Sequence, residues 1–124
     1  MSNSQVQVTF HGIDHSDPLE ALIQEKAAKL RSMHTGLQKV RVVVDVPHRS
    51  HLKGNAFEVK VELLVEGDEL VISRELDADH ARDAPYALVR ETFNAAQRVL
   101  IDHADRRSGA AERHRANNAQ SSAS

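Results

Sequence analysis

The sequence concentrates cationic side chains in one loop and on two segments with helical spacing. They are Arg49 and Lys53 in the loop "PHRSHLKGN", Lys26 and Lys29 in the first helical segment, and Arg90 and Arg98 in the second. Lysine and arginine bind phosphate oxygens through charge-assisted hydrogen bonds, so these positions are candidates for contact with RNA. Ordinary solvated charge fits the residue types equally well at this stage.

Lys26 stands out because of its place on the predicted first helix. At about 100° per residue it falls inside the apolar arc between Leu22 and Leu30, while Lys29 lies on the flank of that arc. The Lys26 stem could follow the sheet edge and leave its ammonium in water. Alternatively, it could project into a groove shared with the second helix and bind an anion there. Periodicity leaves both interpretations open.

Metal binding and catalysis have weaker support. His48 and His51 form the nearest approach to a metal-binding pair, but a zinc site needs three or four ligands from a rigid frame. The remaining candidate histidines are predicted on separate elements: His11, His15, His34 and His80. The acids are dispersed, and the segment from Glu66 to Asp83 lacks the spacing of a calcium loop. We therefore expect no metal, no cofactor and no enzymatic activity.

Length and composition favour one small cytoplasmic domain. The chain has 124 residues and no cysteine, which excludes disulfides and thiolate chemistry. The N-terminal residues lack the pattern of a signal peptide, and no apolar run approaches the roughly 20 residues of a membrane span. Aromatic residues make up only 3%, which disfavours the aromatic platforms that stack single-stranded nucleic acid.

Charge is unevenly distributed along the chain. The net charge is −2, yet the segment from Lys26 to Lys60 has eight basic residues against two acids. The segment from Val61 to Glu91 has three basic residues against nine acids. Such a chain can present a basic surface despite its acidic total.

Hydrophobic periodicity predicts the element order β-α-β-β-β-α. Alternating strands are expected at residues 5–10, 39–46 and 57–65, with a fourth over 70–74; the second and third form a hairpin around the cationic loop. Asp17 is the expected cap of the first helix, with Pro18 in its first turn, and Gly36 is placed to end it. One apolar face per strand predicts an α+β fold in which a four-stranded sheet carries two helices on one face.

The second helix is expected to begin after Asp83 and to end near Ala104. Its apolar positions keep helical spacing as far as Leu100, whereas residues 105–124 offer almost nothing to bury. We therefore predict a folded domain over residues 1–104 and a disordered polar tail over 105–124.

Three segments carry a resemblance to a known family. They are "IQEKAAKLRSMHTGLQKVRVVVDVPHR", "GDELVISRE" and "YALVRETFNAAQRVL", with Lys26-x-x-Lys29-Leu30 in the first helix and Tyr86-Ala87-x-x-Arg90 in the second. In their order and spacing, over about residues 5–104, the chain resembles the ribosome hibernation promoting factor and ribosome-associated inhibitor family, of the sigma-54 modulation protein type, in its short form. Ala95 and Ala96 stand in a stretch where many members carry charge.

The resemblance implies a double-stranded-RNA-binding-like fold that binds the small ribosomal subunit. There it would block the path of messenger and transfer RNA during stress or stationary phase. Lys26, Lys29 and Arg98 match positions that touch ribosomal RNA in the family, and Arg90 is a positional expectation. Arg49 and Lys53 would form a cationic hairpin tip facing RNA.

Two alternatives remain open besides a ribosome-binding inhibitor. The chain could be a protein-interaction module on the same fold, using its acidic region from Glu62 to Glu91 to bind a basic partner. It could also bind naked duplex RNA. We expect a monomer with no membrane association and no small-molecule substrate.

Overall fold

The computed structural model of the chain describes residues 5–46, 56–77, 81 and 83–106 in full, and the backbone of residues 107–123. The elements follow the predicted order β-α-β-β-β-α. They are β1 (Val6–His11), α1 (Asp17–Met33), β2 (Leu37–Asp45), β3 (Phe57–Val65), β4 (Asp68–Leu76) and α2 (Ala84–Ala123). The predicted α+β class with a four-stranded sheet is confirmed.

The sheet has the strand order β1-β2-β3-β4. β1 runs parallel to β2, with Val8 opposite Val42, because α1 connects them as a crossover. β2 and β3 are antiparallel, as are β3 and β4, so Val42, Val61 and Ile72 lie in one row across three strands. The β2–β3 hairpin is thus confirmed, although its loop, with Arg49 and Lys53, lies outside the described residues.

A two-residue turn joins β3 to β4. Val65 and Asp68 pair across the strand ends, with Glu66 and Gly67 between them. Gly67 has φ of +78°, in the left-handed region that glycine enters without steric cost. This turn separates the third and fourth strands of the predicted order.

Both helices pack on one face of the sheet. The buried side chains are almost entirely aliphatic and alternate along the strands, with Val40, Val42 and Val44 of β2 fully buried. The buried residues of the helices are Leu19, Ile23, Ala27 and Leu30 from α1, and Leu88, Val89, Thr92, Phe93, Ala95, Ala96 and Leu100 from α2. The Thr92 hydroxyl donates to the Leu88 carbonyl at 2.6 Å, which satisfies it within the helix.

The N-terminus of α1 differs from the prediction by one residue. Ser16, not Asp17, is the N-cap: its backbone is extended and its hydroxyl accepts a hydrogen bond from the Leu19 N–H at 3.4 Å. Asp17 is the first helical residue instead, where its carboxylate faces the positive end of the helix dipole. Serine and aspartate are both good caps, so a sequence with both side by side does not decide between them.

The C-terminus of α1 also differs in detail. The helix ends at Met33, and His34 is the C-cap, with its N–H donating to the Leu30 carbonyl at 3.1 Å. Gly36 has no positive φ, so it follows the helix without closing it as a left-handed cap. Met33, placed in the apolar stripe by its spacing, is 48% exposed because it lies beyond the last turn that packs on the sheet.

α2 continues well past its predicted end. At its start, the Asp83 carbonyl accepts hydrogen bonds from N–H groups of the first turn, as expected for the residue that precedes the helix. At its end, the helix extends to Ala123, whereas the prediction was about Ala104. Alanine, arginine, glutamate and glutamine favour helix regardless of packing, and residues 105–123 contain no proline. The helix therefore extends beyond its predicted end, while the division into a folded domain over residues 1–104 and a polar tail over 105–124 stays a prediction.

Candidate nucleic-acid interface

α1 and α2 lie side by side and enclose a shallow groove. One part of it, about 40 Å³, is lined by Lys26, Lys29, Leu30, Met33, Phe93, Asn94 and Gln97. A second cavity follows it, where Met33 and His34 meet Leu100, His103 and Ala104. Because later residues of α1 meet later residues of α2, the two helices run in the same direction. Side chains from both therefore face each other along the groove.

The position of Lys26 is settled by this arrangement. It lines the groove shared with α2, in contact with the same space as Asn94 and Gln97, and its side chain is half-buried. Lys29 lines the groove from an exposed position. Of the two interpretations that periodicity left open, the structure supports the groove and not the sheet edge.

Arg90 and Arg98 are exposed residues of α2, the helix that forms one wall of the groove. Neither lines it directly, but each lies four residues from Asn94, which does. Residues four apart occupy one face of a helix, so Arg90, Asn94 and Arg98 form a stripe. The structure therefore brings four of the six predicted RNA-binding residues to one side of the molecule.

The lining of the groove carries positive charge and no acidic side chain. Among the residues described with their side chains, neither the two lysines nor the two arginines have a carboxylate within 4.0 Å. The groove lining contains two ammonium groups and two amide side chains and no acid. Hydrogen-bond donors with unneutralised positive charge are what phosphate oxygens require.

Ala95 and Ala96 are both buried, with 4% and 0% of their surface exposed. A charge at either position would lie in the core and not on the surface. These two differences from the family pattern therefore remove no charge from the exposed side of α2 in this chain.

Arg49 and Lys53 cannot be located relative to the groove, since their loop falls among residues 47–55, outside the described part of the chain. Their role in RNA binding stays a prediction. The loop joins β2 to β3, and the groove is formed by the helices, so the two sets belong to different elements.

One cluster that sequence reasoning missed lies at the start of α1. His15 Nε2 is 3.0 Å from an Asp17 oxygen and 2.7 Å from a Glu20 oxygen. All three residues lie in the segment "HSDPLE", whose pattern predicts only the start of a helix. His and carboxylate atoms this close suit a cation, yet they also form a simple exposed ion pair at a helix N-terminus. We assign no metal to it.

A second missed feature is the cavity at the far end of the groove, which we call the terminal cavity. It is lined by Met33, His34, Leu37, Leu100, His103 and Ala104, among others. His103 Nε2 lies 3.3 Å from an Asp68 carboxylate oxygen, which ties α2 to the start of β4. No sequence signal indicated it, because His34 and His103 are 69 positions apart and meet only in the folded chain.

Within the described residues, no helix is long and apolar enough to cross a membrane.

Comparison with known proteins places the chain in a family. Residues 6–108 match the family model described as Sigma 54 modulation protein / S30EA ribosomal protein. The sequence has no significant match among curated proteins.

Two solved structures share the fold. A ribosomal subunit interface protein from Coxiella burnetii aligns with a TM-score of 0.64 and 15% identity, over 81% of this chain and 97% of that one. The Protein Y N-terminal domain from Thermus thermophilus aligns with a TM-score of 0.54 and 15% identity, over 77% of this chain and 94% of that one.

Proposed function

The chain belongs to the Sigma 54 modulation protein / S30EA ribosomal protein family, and on that premise we propose that it is a ribosome-associated hibernation factor. It binds the small ribosomal subunit in the cytoplasm, blocks the path of messenger and transfer RNA, and silences translation in stress or stationary phase. It acts without catalysis. The observation that carries the proposal is the groove between α1 and α2, where Lys26 and Lys29 face polar groups of α2 with no carboxylate among the lining residues.

The groove explains how such a factor would hold ribosomal RNA. Its lysines and the Arg90–Asn94–Arg98 stripe can each donate to a phosphate oxygen, and phosphate contacts fix position without reading sequence. A rigid pair of helices then matches the shape of folded RNA, which is the usual basis of protein recognition of structured RNA. Inhibition follows from occupancy, because the bound domain excludes other ligands from the same space.

The names of the two similar structures support the assignment to the ribosome. One is a ribosomal subunit interface protein and the other is a domain of Protein Y. At 15% identity they share the fold with this chain, so the family match and the groove are the stronger grounds.

Co-sedimentation with ribosomes tests the proposal. Purified protein is centrifuged with ribosomes through sucrose gradients at low and raised salt, beside the variant Lys26→Ala/Lys29→Ala. The matched control is Lys39→Ala/Lys60→Ala, which removes the same charge from the outer face of the sheet. We expect wild type and control to migrate with the small subunit and the groove variant to lose binding. Removing two phosphate contacts should lower the slope of log affinity against log salt by about 1.4–1.8.

Three outcomes would contradict the proposal. Wild-type protein that stays at the top of the gradient under all conditions would favour a non-ribosomal protein-interaction module that uses the acidic region from Glu62 to Glu91. Equal loss in both lysine variants would mean that total charge, and not the groove, determines binding. Equal affinity for short RNA duplexes would instead indicate a general duplex-binding protein.

A further inference from the structure

The terminal cavity is much larger than the groove that leads to it. Its volume is about 370 Å³, against about 40 Å³ for the part between the lysines and Asn94. Volumes of this size are typical of pockets that hold small organic groups. The groove suits a phosphate backbone on its surface, whereas the terminal cavity can enclose a larger, partly apolar group.

The walls of the terminal cavity combine apolar surface with imidazole nitrogens. Met33, Leu37 and Leu100 provide the apolar part, and His34 and His103 provide the rings. Glu66 also lines the cavity and adds a carboxylate that can accept hydrogen bonds from a base edge. His34 Nε2 is buried and has no hydrogen-bond partner among the residues that the structure describes. Such an atom destabilises the fold unless another group satisfies it. His103 is held by Asp68, so its ring is fixed in place.

A planar group with apolar faces and a polar edge fits these walls. Nucleobases have that chemistry: their faces stack on aromatic rings, histidine included, and their edges donate and accept hydrogen bonds. Phe, Tyr and Trp are scarce in this chain, so stacking here depends on imidazole and aliphatic surface.

The terminal cavity adjoins the cationic groove. Met33 lines both, and His34 follows Lys29 by five residues, about 7.5 Å along the axis of α1. A strand whose phosphate rests on Lys29 therefore brings a base of the same strand to the mouth of the cavity. Charge orients the strand, because the lysines of the groove attract its phosphates and the cavity is left for its uncharged base.

We propose that the terminal cavity binds an unstacked nucleobase of an RNA strand whose phosphates lie on Lys26 and Lys29. The inference rests on the proposed function in that ribosomal RNA supplies the strand, and it adds a single-nucleotide contact to a surface otherwise limited to phosphates. Sequence-specific RNA recognition usually depends on such unstacked bases, so this contact would select one position on the ribosome.

Amide chemical shifts measured by NMR test the cavity without ribosomes. The full chain is titrated separately with AMP, GMP, CMP and UMP, and with ribose 5-phosphate as the ligand that has a phosphate and no base. We expect shift changes in residues 33–37 and 100–104 with at least one nucleotide, at a millimolar dissociation constant, and at least about tenfold weaker binding of ribose 5-phosphate.

Two variants locate the site. Ala104→Leu places a larger side chain at an exposed position that lines the cavity, whereas Ala87→Leu makes the same change on α2 away from it. The first should weaken nucleotide binding by about tenfold and the second should leave it unchanged. The amide spectra of the free variants show whether each retains the fold.

The inference fails if no nucleotide shifts these amides, if ribose 5-phosphate shifts them as strongly, or if Ala104→Leu binds like the wild type. These outcomes are separable from the ribosome experiment. If wild-type protein binds ribosomes but none of the four nucleotides, the nucleobase site is wrong and the proposed function stands. If the protein binds nucleotides in the cavity but does not bind ribosomes, the nucleobase site stands and the proposed function is wrong.

Discussion

The groove on the helical side and the outer face of the sheet differ in whether their cations lie beside a carboxylate. On the sheet, Arg41 Nη1 lies 3.0 Å from a Glu62 oxygen, and His11 Nδ1 lies 3.0 Å from an Asp45 oxygen. On the helical side, Lys26 and Lys29 have no carboxylate partner in the described part of the chain. Arg41 is thus paired within the sheet, whereas the two groove lysines are available to an external anion.

Strand register and helix phase produce this difference. Arg41 and Glu62 are direct partners across β2 and β3, so their side chains meet on one face. Across the helices, the residues that face the two lysines are Asn94 and Gln97, which carry no charge. A chain with net charge −2 can thus present a groove whose lining carries positive charge and no acid.

After the groove lysines, the largest effect is expected from removing the arginines that flank Asn94. Arg90→Ala/Arg98→Ala should lower affinity for the small subunit by about tenfold or more and reduce the salt slope, because two phosphate contacts are lost. Co-sedimentation at several salt concentrations measures both quantities. Arg74→Ala, an exposed arginine on β4, is the control. If the two variants bind equally well, the helical side is not the binding surface.

A smaller effect on binding is expected at the tip of the β2–β3 hairpin. Arg49→Ala/Lys53→Ala should weaken ribosome binding severalfold and flatten its salt dependence, since the loop carries cations but belongs to a different element from the groove. The same gradients measure it. Unchanged affinity and slope would confine the RNA contact to the helices.

Lys26→Leu should separate binding from stability. Lys26 is half-buried within the apolar arc of α1, so leucine should raise the free energy of unfolding by about 1 kcal/mol while ribosome binding falls. Urea denaturation followed by circular dichroism measures the first effect. Lys29→Leu at an exposed position should change stability by less than about 0.5 kcal/mol. A loss of stability in Lys26→Leu would mean that the lysine stem packs better than leucine.

The smallest effect is expected on the sheet. A double-mutant cycle of Arg41→Ala and Glu62→Ala should give a coupling energy of about 0.2–1 kcal/mol, because the Arg41 side chain is 46% exposed and solvent screens the pair. Ribosome affinity should not change in the Glu62→Ala variant. Tighter binding in that variant would show that the outer face of the sheet also approaches RNA.

The order of elements was predictable because each strand alternates and each helix has an apolar stripe. Phe57–Val65 was predicted with its observed bounds, since its alternation is bounded by turn residues on both sides. Element ends were less predictable. Ser16 and Asp17 are equivalent caps by residue type, and α2 passes Ala104 because helix propensity continues after the apolar pattern stops.

The candidate site was partly predictable, because helical periodicity also indicates on which face of a helix a residue lies. Helical phase placed Lys26 within an apolar arc, which left open whether its ammonium reaches water at the sheet edge or projects into a groove. It did not show which neighbour it faced, and it gave no indication of the terminal cavity. His34, Asp68 and His103 come from three different parts of the chain, and no local spacing relates them.

By itself, the sequence determined the α+β class, the number and order of the elements, and the cations that belong to each helix, because these depend on local periodicity and residue type. Only the tertiary structure decided that Lys26 and Lys29 face Asn94 and Gln97, that Arg41 is neutralised by Glu62, and that two distant histidines line one cavity. Those arrangements depend on how the helices align on the sheet, and packing between elements fixes that alignment.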